Sequence, residues 1–225
     1  MKIVSISDTH GQHETLTSDG KKLPYGDVLV HAGDFTKFGR LAELQSFCEW
    51  FDSQPHSRKV FVAGNHDACL ETSAQEANKI IDSFPGIDYL QDSSVTIDGK
   101  LFYGSPYTPR FMQWHFMETR GAPIKRIWDA IPDEVDVLIT HGPAYGHGDL
   151  VPIYPQFSKF RRVAGCVQLL LRIQEIGPDL HICGHIHDGH GITRSDALPL
   201  TTFINAATCT ERYSPSNPPI EAEIS

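Results

Sequence analysis

Lys2-Ile3-Val4-Ser5-Ile6-Ser7-Asp8-Thr9-His10 is the stretch whose reading decides the rest of this chain. The apolar run from Ile3 to Ile6 reads as a buried strand over residues 2–7, and Asp8 and His10 follow just past its end. A carboxylate and an imidazole so spaced on a loop can point at one metal ion. Alone, Asp-x-His is a weak signal, because a turn with two solvated polar residues looks the same. Four later stretches change that: Gly33–Asp34, Gly64–Asn65–His66–Asp67, Thr140–His141–Gly142 and Gly184–His185–Ile186–His187. The first three end apolar runs, and the last follows Leu180–His181–Ile182–Cys183. Asp8, His10, Asp34, Asn65, His141, His185 and His187 together offer enough nitrogen and oxygen ligands for two metal ions.

Around these stretches the chain reads as an α/β protein. Buried strands are expected over 27–32, 59–63, 135–139, 180–183 and 201–204, where apolar and β-branched residues run together. Helices are expected over 41–52, 74–84, 124–130 and 164–176. Two alternating runs around Asp98–Gly99 predict a hairpin. Residues 107–123 read as a loop with a short helix, 143–162 as a long loop holding Pro152, Pro155, Lys159, Arg161 and Arg162, and 214–225 as an irregular tail. No repeat or linker divides the sequence, so one domain is expected over 1–225. Ligands of open α/β sheets collect beyond the carboxyl ends of the strands, which puts most of the proposed ligands on one rim.

Composition narrows the function. Of 225 residues, 28 are Asp or Glu and 19 Lys or Arg, a formal net charge of −9. Nucleic-acid binding proteins normally carry a basic stripe, so no stable nucleic-acid binding is expected. A small phosphate ester remains compatible, because bound dications make a site locally positive. The five cysteines show no C-x-x-C spacing and fit a reducing compartment. No leader-like segment and no apolar stretch of membrane-spanning length is visible, so the expected location is cytoplasmic.

A two-metal hydrolase needs its cations about 3.5–4 Å apart and a ligand that spans them. A carboxylate can bridge; an imidazole or an amide does so poorly. Asp34 is the natural bridge, with Asp8, His10 and His187 completing one site and Asn65, His141 and His185 the other. A set without thiolates suits Mn²⁺ first, and also Fe, Zn²⁺ or Co²⁺, rather than Ca²⁺, which prefers oxygens.

On Asp8-x-His10, Gly33–Asp34, Gly64–Asn65–His66–Asp67, His141 and Gly184–His185-x-His187, the chain resembles the calcineurin-like metallophosphoesterase superfamily. On Phe102–Pro106, Thr140–Pro143, Gly184–Gly189 and Phe203–Ala206 it is similar to the class III cyclic-nucleotide phosphodiesterase-like group that includes the metallophosphoesterase-domain proteins. The resemblance covers nearly the whole chain. It implies a four-layer αββα sandwich with the metals above the central sheets, and the two ligand groups just given. It implies hydroxide shared by the two metals attacking phosphorus in line with the leaving oxygen. It also gives His66 a catalytic part: contacting phosphate and protonating the leaving alkoxide. Asn65 and His66 would then meet the substrate, and His190, in Gly189–His190–Gly191, lies near enough to the ligand motif to meet it too. Ala144 and Asp67 depart from the group's pattern at positions that are not themselves proposed ligands.

The expected activity is hydrolysis of phosphodiester bonds in small nucleotides, with cyclic ones among the candidates. The same core would also serve a phosphomonoesterase or a phosphoprotein phosphatase. A scaffold that had kept the fold and lost the chemistry should lack ligands, and this sequence lacks none.

Overall fold

The computed structural model describes residues 1–152 and 161–225. Pro155 and Lys159 of the expected long loop lie outside the described residues. In chain order the strands are β1 (Lys2–Ile6), β2 (Val28–His31), β3 (Arg58–Phe61), β4 (Ile87–Tyr89), β5 (Ser93–Ile97), β6 (Lys100–Ser105), β7 (Thr108–Pro109), β8 (Met117–Glu118), β9 (Val137–Thr140), β10 (Leu150–Pro152), β11 (Arg161–Val163), β12 (Leu180–Cys183), β13 (Gly191–Ser195), β14 (Leu198–Asn205) and β15 (Ile220–Glu223). The helices are α1 (Leu41–Asp52), α2 (Cys69–Thr72), α3 (Ala74–Ile81), α4 (Ala122–Trp128) and α5 (Val167–Ile176).

Two sheets carry the fold. One runs β15-β1-β2-β3-β4, with β1 to β4 parallel and β15 antiparallel at the edge. The other runs β13-β14-β12-β9-β6-β5, parallel from β14 to β6 with an antiparallel strand at each edge. Alternate side chains of each strand go to opposite faces. Ile3, Val28, Val30 and Val60 from the first sheet meet Phe102, Val137, Ile139, Ile182 and Ile204 from the second in a central core. Val4, Ile6, Leu29 and Phe61 turn the other way, onto Leu44, Phe47 and Phe51 of α1 and Ala77 and Ile81 of α3. Tyr103, Leu138 and Phe203 turn onto Ile124 and Trp128 of α4 and Leu169 and Ile173 of α5. The layers are therefore helix, sheet, sheet, helix. Burial on both faces is why the central strands read as unbroken apolar runs.

The Asp98–Gly99 hairpin forms as expected, with both residues at positive φ, 48° and 82°, as a two-residue turn between twisted strands needs. Three expectations are corrected. Residues 107–123 hold the short ladder of β7 with β8 in place of a helix, and helix begins only at Ala122. The stretch 143–162 is no plain loop, since β10 pairs with β11 across it. The tail is not irregular throughout: β15 pairs with β1, Lys2 opposite Glu223 and Ser5 opposite Ile220, because Ile220 and Ile224 fit the central core.

Candidate metal centre

Each candidate ligand sits where a parallel strand gives out. Asp8 and His10 follow β1, Asp34 follows β2, Asn65 and His66 follow β3, His141 follows β9, and His185 and His187 follow β12. The segments beyond β1 and β2 stay laced together, with Asp8 N–H donating to the Gly33 carbonyl (2.9 Å) and His10 N–H to that of Asp34 (3.0 Å). Asp8, His10, Asp34 and His185 all have φ between 44° and 66°. Side-chain-bearing residues adopt that left-handed region at a cost, and such outliers cluster at functional sites. The glycines before the ligands leave no room for anything larger. A Cβ on Gly184 would stand 2.0 Å from Ser7 Oγ and 2.1 Å from Asp8 Oδ2, and one on Gly64 would stand 2.2 Å from Asp34 Oδ1.

The side chains converge. Candidate ligand atoms lie within 4.8 Å of one another in three sets: Asp8, His10 and His187; His10, Asp34 and His66; Asp34, His141 and His185. Asp34 Oδ2 is 3.4 Å from His141 Nε2 and 4.0 Å from His10 Nε2. His187 Nε2 is 3.3 Å from Asp8 Oδ1 and 3.2 Å from His10 Nε2. Asn65 Oδ1 lies 3.1 Å from His141 Nε2. The structure thus brings all seven proposed ligands and His66 to one place. It does not bring His190 there. That ring's Nε2 is 2.9 Å from the Pro218 carbonyl, and His190 is not among the residues lining the cavity over the centre.

These residues fit a pair of cations, and the backbone around them supplies the reason. His141 Nδ1 lies 2.9 Å from the Ala32 carbonyl and His187 Nδ1 lies 3.0 Å from that of Thr210. A carbonyl only accepts, so each Nδ1 is the donor, which leaves each neutral ring's Nε2 lone pair facing the centre. Metal-bound histidines are oriented in this way. Asp8 and Asp34 are almost fully buried, and buried carboxylates need positive charge nearby. Burial would raise their pKa values, but His187 beside Asp8 and His141 beside Asp34 outweigh it and hold both well below the carboxylate range. In return, burial is outweighed at His141 and His187 by the paired carboxylates, and each ring is raised to about 9. Without cations, protons on these rings supply the charge. His185, half-buried, is lowered by desolvation and by the nearby His141 to about 4 and stays neutral.

Asp67 holds the frame without joining it. Its carboxylate accepts from the N–H groups of Asp34 (2.8 Å), Thr36 (2.9 Å) and Gly64 (2.7 Å) and from the Thr36 hydroxyl (2.8 Å), tying the loops after β2 and β3 together. His66 N–H donates to Asp34 Oδ1 (2.7 Å), and its Nδ1 is 3.2 Å from the Lys37 carbonyl. Its ring lies between His10 and Trp114, with centroids 4.7 Å and 4.5 Å away. Above the centre is a cavity of about 680 Å³ lined by His10, Asp34, Asn65, His66, His185 and His187 and also by Phe111, Met112, Trp114, Arg162 and Tyr213. Tyr213 meets His10 and His187 edge-on, with centroids 4.8 Å and 5.4 Å away. Sequence reasoning missed Trp114 and Tyr213. Both lie in stretches without periodicity, where only their size and aromaticity hinted at a use.

A sequence model of the calcineurin-like phosphoesterases matches residues 1–189. Metallophosphoesterase domain-containing protein 1 of Homo sapiens is 40% identical over 244 residues, which take in 99% of this chain and 71% of that protein. UPF0046 protein K07C11.7 of Caenorhabditis elegans is 40% identical over 220 residues, 93% of this chain and 70% of its own length. The crystal structure of TT1561 of Thermus thermophilus shares the fold, with a TM-score of 0.62 at 14% identity over 91% of this chain and 88% of that one. The matched span contains every strand-end residue of the centre, and the animal relatives extend along nearly the whole chain, so this chain belongs to the calcineurin-like phosphoesterase family, whose members are metal-dependent hydrolases of phosphate esters.

Proposed function

We infer that the protein hydrolyses phosphodiester bonds of small nucleotides, cyclic ones included, at two divalent cations held by Asp8, His10, Asp34, Asn65, His141, His185 and His187. The position of Asp34 carries this reading. One carboxylate stands in a set with His10 on one side and in a set with His141 and His185 on the other. A shared carboxylate is the simplest means of fixing two cations at the spacing of about 3.5–4 Å that phosphoryl transfer uses. Mn²⁺ is the cation chosen for the test, and Fe, Zn²⁺ or Co²⁺ also suit this set of nitrogen and oxygen donors. When bound, the cations supply charge for the phosphoryl oxygens and acidify the attacking water.

The chain's own groups do the rest. Asp34 is kept in one orientation by the His66 N–H on Oδ1, which leaves Oδ2 facing His141 and His10. His66, with Nδ1 turned to the Lys37 carbonyl, has Nε2 left to carry a proton to the departing oxygen. Asn65 and His66 both line the cavity and can donate to phosphate oxygens. We read residues 1–225 as one domain. Its cysteines are all free and buried, which suits the reducing cytoplasm as its place of action.

The test is hydrolysis of an aryl phosphodiester, an aryl phosphomonoester and a nucleotide panel by the Mn²⁺-loaded protein. Diesters should be cleaved faster than monoesters, and exhaustive chelation should abolish activity that Mn²⁺ then restores. Activity that survives chelation, or activity on monoesters alone, contradicts the reading.

A further inference from the structure

Burying apolar side chains is the main favourable force in folding, so large ones left in the open at one spot need a reason. Phe111, Met112 and Trp114 are 49%, 68% and 42% exposed. All three line the cavity over the metal centre. They come from one short connection between β7 and β8, whose ladder of Thr108 with Met117 and Pro109 with Glu118 holds its two ends together. Met112 sits at φ 57°, a left-handed conformation that an unbranched residue adopts only at a cost. Arg162 lies over the Phe111 ring, 5.9 Å from its centroid. Exposed apolar groups gathered on a cavity wall mark a place where a ligand's own apolar surface is buried.

We propose that Phe111, Met112 and Trp114 form a platform for a flat aromatic group carried by the phosphate ester, which in a nucleotide is the base. The inference rests on the phosphoesterase reading and adds to it what the metal ligands cannot supply. Cations recognise phosphate, and they treat all esters alike. Discrimination among esters therefore falls to surfaces that touch the rest of the substrate, and on this cavity the platform is a surface with the right chemistry. Aromatic rings stack on any base through its π-face, and the Arg162 guanidinium adds a cation at the edge of the stack. Trp114 has a second contact, the His66 ring at 4.5 Å, so the platform ends against the group proposed to protonate the leaving oxygen. Phe111 and Met112 carry no carboxylate or imidazole to offer a cation, and the rings packed on His66 are those of His10 and Trp114.

Trp114 also reports on its own site. The chain has three tryptophans, and Trp50 and Trp128 are buried at 8% and 1% exposure. The experiment titrates the full-length Mn²⁺-loaded protein with AMP and, separately, with ribose 5-phosphate, following tryptophan emission and the heat of binding. AMP should quench the emission and bind more tightly, by about five- to 150-fold, the range that one base stacked on an aromatic side chain produces. Ribose 5-phosphate should bind without quenching. Phe111→Ala and Met112→Ala should weaken AMP and leave ribose 5-phosphate unchanged, and both should keep the wild-type circular dichroism. Equal affinity for the two ligands, or equal losses for both in the variants, overturns the platform while leaving the phosphoesterase reading in place. If neither ligand binds in a Mn²⁺-dependent way, both are overturned.

Discussion

His66 is the residue whose proposed part in the chemistry can be separated from metal binding. Its Nδ1 faces the Lys37 carbonyl and its backbone N–H holds Asp34, so the side chain can be removed while the backbone contact stays. His66→Ala should leave the metal content nearly unchanged. General acid catalysis is worth about 10²–10⁴-fold. That loss should appear in kcat for a diester whose leaving group is a ribose oxygen, and shrink for p-nitrophenolate, which departs without a proton. Equal losses on both substrates would give His66 an electrostatic or binding part. At this scale the ligands were legible, because carboxylates and imidazoles at strand ends announce themselves. The glycines beside them were legible as parts of the motifs, but not their reason: the lack of space at Gly184 comes from Ser7 and Asp8, far away along the chain. Trp114 and Tyr213 left no such mark, since an aromatic residue in an aperiodic loop reads equally well as packing.

Among the elements, the buried parallel strands β1, β2, β3, β9 and β12 could be read directly, because burial on both faces makes them continuous apolar runs. The edge strands could not, apart from β5, which the Asp98–Gly99 turn marks as half of a hairpin. β4 spans only Ile87–Tyr89, too short to show a period, and β13, Gly191–Ser195, carries a single large apolar residue. β15 did carry a signal, the alternation Ile220-Glu221-Ala222-Glu223-Ile224, but the prolines and serines before it led to the expectation of an irregular tail. The structure gives that strand work to do. It pairs along β1, the strand that delivers Asp8 and His10, and Ile220 is only 7% exposed within the central core. Ile220→Ala should therefore cost about 2–5 kcal/mol of unfolding free energy, the range for removing a buried Ile side chain. Urea denaturation measures it, and a change below about 0.5 kcal/mol would mean that the tail is an ornament on β1 and no part of the core.

The whole molecule keeps several histidines neutral inside its layers. Burial lowers His13 to about 4, His31 to about 3 and His181 to about 3. In the unfolded chain such rings titrate near pH 6.5. Above that pH neither state binds the proton, and the folded state keeps its full stability. As the pH falls below it the unfolded chain takes up protons that the folded chain refuses, so stability is lost progressively towards pH 3–4, by up to about 1.4 kcal/mol per pH unit for each ring. Urea unfolding of the metal-free protein between about pH 6 and 5, below the range in which the raised His141 and His187 rings contribute with the opposite sign, should show this slope, and His181→Gln should reduce it. A flat profile would mean that these rings take up protons in the folded state. The four-layer order of the molecule was legible only through its resemblance to a family, because periodicity identifies strands and not which sheet receives them. The centre at the junction of the two sheets is a whole-molecule property in the same sense: β1, β2 and β3 come from one sheet and β9 and β12 from the other. The claim that this junction is a two-cation centre organised on Asp34 is tested most directly by counting Mn²⁺ per chain, by elemental analysis after equilibrium dialysis, in the wild type and in Asp34→Asn, whose amide tolerates the φ of 56° at this position but bridges poorly. Two ions are expected in the wild type, and the variant should lose both at limiting metal. A wild type that holds fewer than two, or an Asp34→Asn protein that keeps two tightly bound ions, would contradict it.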